Sequence, residues 1–216
     1  LPTFWMKVAP FALGEDPVPR MLERDEIVRL LAGAPADLRD LLAGALMTGA
    51  RYGDLRRLQV RDYFLDDGLV RIAQSKTKKT LMQPLTAEGI ALFDRMTAGR
   101  PGGERVFLRQ NGDAWAHSDV RRPMADAVAA AHLVDVTFKT TRATYGKLLL
   151  HATRDIEMVA KALGHSDSRV TRKHYAQYLP SELQRAVARL PEIGVAPQGN
   201  VTRMSKATRR GSATVG

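Results

Sequence analysis

Apolar residues follow a helical period along most of the chain. Between residues 36 and 48, for example, Leu38 and Leu41 share one helix face, and Gly49 follows as a helix stop signal. Patterns of this kind predict helices at 22–34, 36–48, 52–58, 86–97, 118–132, 140–151, 155–163, 168–174 and 181–190. Ser118 is the expected side-chain cap of the Ala-rich helix that it begins.

The period changes after the first three helices. Short segments at 60–65, 69–73 and 80–85 are predicted as β-strands. Asp66-Asp67-Gly68 is a turn signal between the first two, and a polar, basic stretch at 75–79 joins the second to the third. Short connections of this kind join antiparallel neighbours. The sequence therefore predicts a mainly α fold with a small three-stranded antiparallel β-sheet.

The two ends of the chain differ in composition from its middle. Residues 1–20 contain four prolines and do not begin with Met, which we interpret as a linker from a missing N-terminal part. Residues 21–194 are long enough for one domain with its own core. Residues 195–216 hold four basic residues and no acidic one. We expect them to form a flexible basic tail, either a solvated linker or an arm that binds phosphates.

Composition favours an anionic partner. The 216 residues include 33 Lys and Arg against 23 Asp and Glu, a net charge of +10. Residues 1–50 carry five basic and seven acidic residues, so the positive excess lies in the rest of the chain. Nucleic acid or an anionic membrane surface would suit such a protein. The absence of Cys excludes disulfides, thiolate zinc sites and Cys nucleophiles. No apolar run approaches the ~18 residues of a membrane span.

Five short segments carry candidate chemistry. They are TGARYGDL at 48–55, QSKTKK at 74–79, FKTTR at 138–142, LGHSD at 163–167 and RKHY at 172–175. In this order the chain resembles the catalytic domain of the tyrosine recombinases, the phage integrase family, from about residue 22 to residue 190. The Leu-Gly-His-Ser element, with Tyr175 ten residues after His165, is the most specific part of the resemblance.

The resemblance assigns two arginines to the scissile phosphate. Arg51 and Arg142 would grip its non-bridging oxygens, because guanidinium forks bind such oxygens bidentately and stay charged. Asp54, one helical turn after Arg51, would orient its guanidinium. Taken alone, Arg51 also fits an ordinary surface arginine, and Asp54 an ordinary helix ion pair.

Tyr175 occupies the nucleophile position of the family. A phenol, with a pKa of about 10, serves both as nucleophile and as leaving group. Tyr178 is its main rival by position. Lys76 matches the hairpin lysine of the family, which would protonate the leaving 5′-oxygen. Lys78 and Lys79 are near enough to compete for this role, and all three lysines could instead contact DNA phosphates.

The remaining site positions include one departure from the family pattern. His165 would hydrogen-bond the scissile phosphate, although a histidine that ends a helix after Gly164 is the simpler alternative. Lys139 stands where the family usually has His; it can donate to phosphate but is a poor general base. Arg172 and Lys173 are predicted to contact DNA. No metal site, nucleotide-binding motif or cofactor is predicted.

The implied function is site-specific recombination of double-stranded DNA through a 3′-phosphotyrosine intermediate, without metal or ATP. A type IB topoisomerase-like or resolvase enzyme and a non-catalytic DNA-binding relative are the alternatives. The resemblance implies that residues 1–20 are a linker from a missing N-terminal DNA-binding domain. The family acts as a homotetramer on paired DNA sites, and segment 181–190 is the candidate contact between protomers, whereas the isolated fragment could be monomeric. Accessory DNA-bending or directionality proteins are further expected partners. A bacterial or phage origin implies a cytoplasmic location.

Overall fold

The structure is a computed structural model that describes residues 19–165 and 168–175. Within these ranges the elements are α1 (Arg24–Gly33), α2 (Ala36–Thr48), α3 (Tyr52–Leu55), β1 (Tyr63–Phe64), β2 (Leu69–Ala73), β3 (Thr80–Pro84), α4 (Ala87–Thr97), α5 (Arg121–Ala130), α6 (Phe138–Thr153), α7 (Ile156–Leu163) and α8 (Ser168–Tyr175). The helical content and the single small sheet confirm the predicted architecture. The predicted helix 181–190, the tail 195–216 and most of the linker 1–20 lie outside the described residues.

The first helices pack on a common apolar core. Leu38 and Leu41 of α2 are fully buried, as the apolar pattern predicts. The core continues through Phe93 of α4 and Phe107, whose rings meet edge to face with centroids 5.8 Å apart. Gly49 closes α2 in the left-handed conformation, with φ of 65°. The chain thereby turns directly from α2 into Arg51 and α3.

The sheet has the order β1-β2-β3 with antiparallel neighbours. Leu69 pairs with Pro84, and Ala73 pairs with Thr80. Alternate residues of β2 face the core, so Val70 and Ile72 are buried. The loop between β2 and β3 therefore leaves the sheet at its Ala73 end and carries the predicted catalytic lysine.

The predicted strand 60–65 is wrong in its first half. Val60–Asp62 forms a 3₁₀ turn, and the strand covers only Tyr63–Phe64. The cause is local, because a carboxylate oxygen of Asp62 accepts a hydrogen bond from the backbone N–H of Gln59 at 2.9 Å. Such side-chain capping offers the backbone an alternative to a strand ladder.

The predicted cap at Ser118 is also wrong. α5 begins at Arg121, and its first turn has no side-chain cap. The carboxylate of Asp119 instead accepts from the backbone N–H of Ala116 at 2.8 Å, which holds the preceding residues in a turn. In contrast, α6 starts earlier than predicted, because Thr137 and Thr140 form a capping box ahead of the apolar pattern.

A second, smaller apolar cluster joins α6, α7 and α8. Its buried members are Met21, Leu150, Val159, Leu163 and Tyr175. This cluster packs α7 and α8 against α6. The predicted histidine follows α7, and the predicted tyrosine lies on α8. None of the helices in the described ranges is long and apolar enough to cross a bilayer.

Candidate active site

Arg142 reaches from α6 to two backbone carbonyls. Its Nη1 donates to the carbonyl of Gly49 at 2.7 Å, and its Nη2 donates to the carbonyl of Leu163 at 2.5 Å. These carbonyls belong to the ends of α2 and α7, so one guanidinium ties three helices together. Burial, together with the nearby positive charge of Arg51, lowers the pKa of Arg142 to about 10. The two arginines predicted to bind phosphate therefore lie close together.

Asp54 is a buried carboxylate at the centre of the site. Its Oδ2 lies 3.9 Å from Nη1 of Arg51, an ion pair without a hydrogen bond. Neither atom has a hydrogen-bond partner among the described residues. The other oxygen, Oδ1, accepts from Nη2 of Arg57 at 2.9 Å and from the backbone N–H and hydroxyl of Ser75 at 3.1 and 3.0 Å. Asp54 thus connects α3 to the loop between β2 and β3.

The three candidate lysines lie on or next to that loop and are all exposed. Lys76 stands between Ser75, which is bonded to Asp54, and Thr77, whose hydroxyl donates to Oε1 of Gln74 at 2.6 Å. Lys78 adopts a left-handed conformation with φ of 56°, and the carbonyl of Lys79 accepts from the N–H of Gln74 at 2.8 Å. Only for Lys76 are both neighbouring side chains bonded to buried groups of the domain.

Gln74 is a residue of the site that the sequence interpretation missed. It is only 2% exposed, and its Nε2 donates to the carbonyl of Leu163 at 3.0 Å. A signal was present, because Val70, Ile72 and Gln74 have the period-two spacing of one strand face. A polar residue that continues a buried apolar face must find partners inside the fold.

His165 follows the end of α7, where Gly164 adopts the left-handed conformation with φ of 67°. Its Nδ1 and the hydroxyl oxygen of Thr171 are 2.8 Å apart. Thr171 is fully buried and lies one helical turn before Tyr175 on α8. The ring of His165 is therefore positioned by the helix that carries the predicted nucleophile.

Tyr175 packs against the backbone of α6. Its hydroxyl donates to the carbonyl of Ala143 at 3.2 Å, and the residue is 3% exposed. A Cβ at Gly146 would lie 2.1 Å from this hydroxyl, so the close approach requires glycine. Tyr175 also interacts electrostatically with Arg142. The structure thus brings the predicted nucleophile to the arginine pair.

The other predicted contacts are more peripheral. Lys139 is exposed in the first turn of α6, three residues before Arg142. Arg172 is exposed, and its Nη2 lies 2.6 Å from Oε1 of Glu157, a surface ion pair within reach of solvent. Tyr178 and the side chain of Lys173 lie outside the described residues.

The arrangement places two cationic forks, a phenol and an imidazole around the junction of α2, α6, α7 and α8. Arg142 interacts electrostatically with Arg51 and with Tyr175. Thr171, on the helix of Tyr175, contacts His165, and Asp54 bonds to Ser75, the residue before Lys76. Such a group can bind and polarise a phosphate. No set of three or more His, Asp or Glu residues in 19–165 and 168–175 could hold a metal ion.

Residues 16–182, most of the chain, match the phage integrase family. The chain belongs to this family. A tyrosine recombinase XerC of Xanthomonas axonopodis pv. citri (strain 306) is 32% identical over 162 residues, which cover 71% of this chain and 53% of the relative. The chain thus spans about half the length of the XerC relatives that it matches.

Solved structures of the family share this fold. The crystal structure of XerA recombinase matches with a TM-score of 0.64 at 21% identity, over 82% of this chain and 68% of that one. A lambda integrase dimer bound to a COC′ core site matches with a TM-score of 0.63 at 22% identity, over 74% of this chain and 60% of that one. These matches confirm the predicted tyrosine recombinase catalytic-domain fold.

Proposed function

We propose that this chain is the catalytic domain of a site-specific DNA recombinase that acts through a 3′-phosphotyrosine intermediate. The observation that carries the proposal is the position of Arg142. Its guanidinium bonds to the carbonyl of Gly49, two residues before Arg51, and the carbonyl of the next residue, Ala143, accepts from the hydroxyl of Tyr175. Two cations and a phenol around one position match the needs of phosphoryl transfer to tyrosine. Membership of the phage integrase family supports the same reaction class.

In the proposed reaction, Oη of Tyr175 attacks the phosphorus of the scissile phosphodiester. A Tyr–O–P bond forms, the P–O5′ bond breaks, and the phenolic proton passes to solvent. Lys76 gives a proton to the departing O5′, while Arg51, Arg142 and His165 stabilise the charge on the non-bridging oxygens. Attack by a 5′-hydroxyl on the phosphotyrosine reverses these steps and rejoins a strand, so ATP is not required.

The hydroxyl of Tyr175 begins this reaction bonded to the carbonyl of Ala143. Attack therefore requires the phenol to exchange that bond for contact with the phosphate. Lys139, exposed in the first turn of α6, adds positive charge and a donor to the phosphate side of the site. A lysine ammonium donates hydrogen bonds and has no acceptor, which suits phosphate binding better than proton removal.

The proposed partner is double-stranded DNA, bound mainly through phosphates by the basic part of the chain. The proposed working assembly is a homotetramer on two DNA sites, in a cytoplasmic setting. The lambda integrase neighbour is a dimer bound to a core site, which supports DNA as the partner. Arg172 would have to leave Glu157 before it could contact the DNA backbone.

Covalent capture tests the proposal. The native chain is incubated with nicked duplexes of randomised sequence, in which attack releases a short fragment and traps the adduct. We expect a denaturation-resistant protein–DNA adduct from the native chain and from Tyr178→Phe, and none from Tyr175→Phe. Tyr63→Phe is the matched control, because the hydroxyl of Tyr63 bonds to Asp94 beside the sheet at 2.7 Å.

Three other outcomes would contradict parts of the proposal. The absence of an adduct with native protein across all duplexes would favour a non-catalytic DNA-binding role. An adduct from Tyr175→Phe would refute the choice of nucleophile. Relaxation of supercoiled plasmid without exchange between sites would favour a topoisomerase-like enzyme.

A further inference from the structure

The side chain of Gln74 joins two parts of the site that are distant in sequence. On one side, Oε1 accepts from the hydroxyl of Thr77 at 2.6 Å, inside the loop that carries Lys76. On the other side, Nε2 donates to the carbonyl of Leu163 at 3.0 Å. That carbonyl also accepts from Nη2 of Arg142 at 2.5 Å. One backbone oxygen is therefore shared by the loop and the arginine.

The approach of Gln74 to the end of α7 leaves no spare room. A Cβ added at Gly164 would lie 2.7 Å from Oε1 of Gln74. Because Gln74 is itself only 2% exposed, its amide is held between the sheet and the helix end. The distance between the loop and the end of α7 is thus set by direct contact, and His165 follows in the same turn.

Lys76 is exposed, but the residues on both sides of it are fixed. Ser75 is bonded to the buried carboxylate of Asp54 through its N–H and its hydroxyl. Thr77 is bonded to Gln74. The two anchors act on the backbone next to the lysine, so they restrict where its ammonium can reach without contacting it. General acid catalysis depends on such placement, because the donor must lie within hydrogen-bond reach of the leaving oxygen.

We propose that Gln74 is a positioning residue for proton donation to the leaving 5′-oxygen. Through Thr77 and the carbonyl of Leu163, it fixes the loop that carries Lys76 at a set distance from Arg142. This inference rests on the proposed function and on Lys76 as the proton donor. It predicts that loss of Gln74 impairs departure of O5′ and leaves stabilisation of the phosphate by the arginines intact.

A substrate with sulfur in place of the bridging 5′-oxygen separates these two effects. With oxygen, the P–O5′ bond breaks efficiently only when a proton reaches the alkoxide. With sulfur, the P–S bond breaks and a thiolate leaves with the electron pair, since thiols ionise with a pKa of about 8.5. The sulfur substrate therefore needs no proton donor, but it still needs the arginines.

The experiment measures single-turnover adduct formation on matched nicked duplexes with bridging oxygen or bridging sulfur. Two variants probe the proposal: Gln74→Leu removes the amide, and Thr77→Val removes only the hydroxyl that donates to it. On the oxygen substrate we expect rates reduced by roughly 10- to 100-fold, a part of the ~10²- to 10⁴-fold that a general acid contributes, because Lys76 itself remains. On the sulfur substrate we expect both variants and Lys76→Ala to react at near-native rates.

Two further variants complete the comparison. Arg51→Met should react slowly on both substrates, because the arginine that it removes is proposed to act on the non-bridging oxygens. Thr80→Val makes the same substitution as Thr77→Val at an exposed position of the same hairpin and should behave as native on both. Circular dichroism checks folding, and if Gln74→Leu is unfolded, Thr77→Val decides the question alone.

Equal slowing of Thr77→Val on both substrates, or no slowing on oxygen, would overturn the inference. Failure of sulfur to rescue Lys76→Ala would overturn it as well, because the proposed donor would then be wrong. These outcomes differ from failure of the proposed function, in which native protein forms no adduct with either substrate.

Discussion

Replacement of Arg51 by Met should nearly abolish strand cleavage while changing the stability of the domain very little. The side chain of Arg51 is 28% exposed. Its guanidinium pairs with Asp54 only at 3.9 Å, without a hydrogen bond. Met preserves much of the apolar stem and removes the charge. The substitution therefore removes the proposed phosphate ligand without removing a close structural bond.

The expected loss of rate follows from the role of an oxyanion contact. Removal of one such donor costs about 3–4 kcal/mol of transition-state stabilisation, or roughly 10²- to 10³-fold in the rate of cleavage. Binding of DNA should weaken less, because many other phosphate contacts contribute to it. The loss should therefore appear mainly in the single-turnover rate at saturating DNA.

The expected change in stability is small because two effects oppose each other. The carboxylate of Asp54 is buried, but the pair with Arg51 is loose at 3.9 Å and Asp54 keeps Arg57 as a closer partner, so the variant loses about 1 kcal/mol. Burial and, after it, the positive charge of Arg51 lower the pKa of Arg142, so the two cations repel each other in the protein without DNA. Removing Arg51 relieves this repulsion. The free energy of unfolding should thus stay within about 1 kcal/mol of native.

Adduct formation on nicked duplex measures the rate, and urea unfolding followed by circular dichroism measures stability. Arg57→Met is the matched control, because Arg57 bonds to the same carboxylate at 2.9 Å. It should lose more stability than Arg51→Met and retain more activity. A rate for Arg51→Met within about tenfold of native would refute its oxyanion role. A loss of more than about 3 kcal/mol of stability would show that Arg51 is a structural residue.

Three further substitutions test other parts of the site. Gly146→Ala places a Cβ 2.1 Å from the hydroxyl of Tyr175, so it should cost about 1–3 kcal/mol of unfolding free energy. An unchanged urea midpoint would mean that Tyr175 does not pack there in solution. Lys78→Ala and Lys79→Ala should each reduce the slope of log affinity against log salt by about one if each lysine contacts a phosphate. Filter binding at several salt concentrations measures this, and parallel slopes for native and variant would exclude the contact.

The fold was largely predictable because the dominant signal is the spacing of apolar residues. α2 begins and ends where that spacing predicts, and β2 matches the predicted strand at both ends. The errors lie where a polar side chain bonds to nearby backbone. Asp62 turns the start of a strand into a 3₁₀ turn, and Asp119 holds residues that were expected to begin a helix. Such choices depend on single hydrogen bonds, which apolar periodicity does not report.

The parts of the candidate site that belong to family motifs were predictable from the sequence. The contacts that backbone carbonyls make in the site were not. Arg51, Arg142, His165 and Tyr175 were identified from short motifs, and the structure brings them to one junction. The carbonyl of Leu163 could not be identified in this way, since every residue offers the same carbonyl. Its importance follows only from which side chains the fold brings to it.

This use of backbone carbonyls has a consequence for the charge of the site. Arg142 is oriented by the carbonyls of Gly49 and Leu163, which are neutral acceptors. A carboxylate in their place would orient the guanidinium but would also neutralise it, and would then compete with an arriving phosphate. The nearby carboxylate of Asp54 is engaged by Arg57 and Ser75 and stands 3.9 Å from Arg51. Arg142 is thereby held in place by neutral groups, and burial, followed by the nearby positive charge of Arg51, lowers its pKa to about 10. An anionic phosphate that enters the junction would raise the pKa of Arg142 again, so this positively charged site favours an anionic ligand.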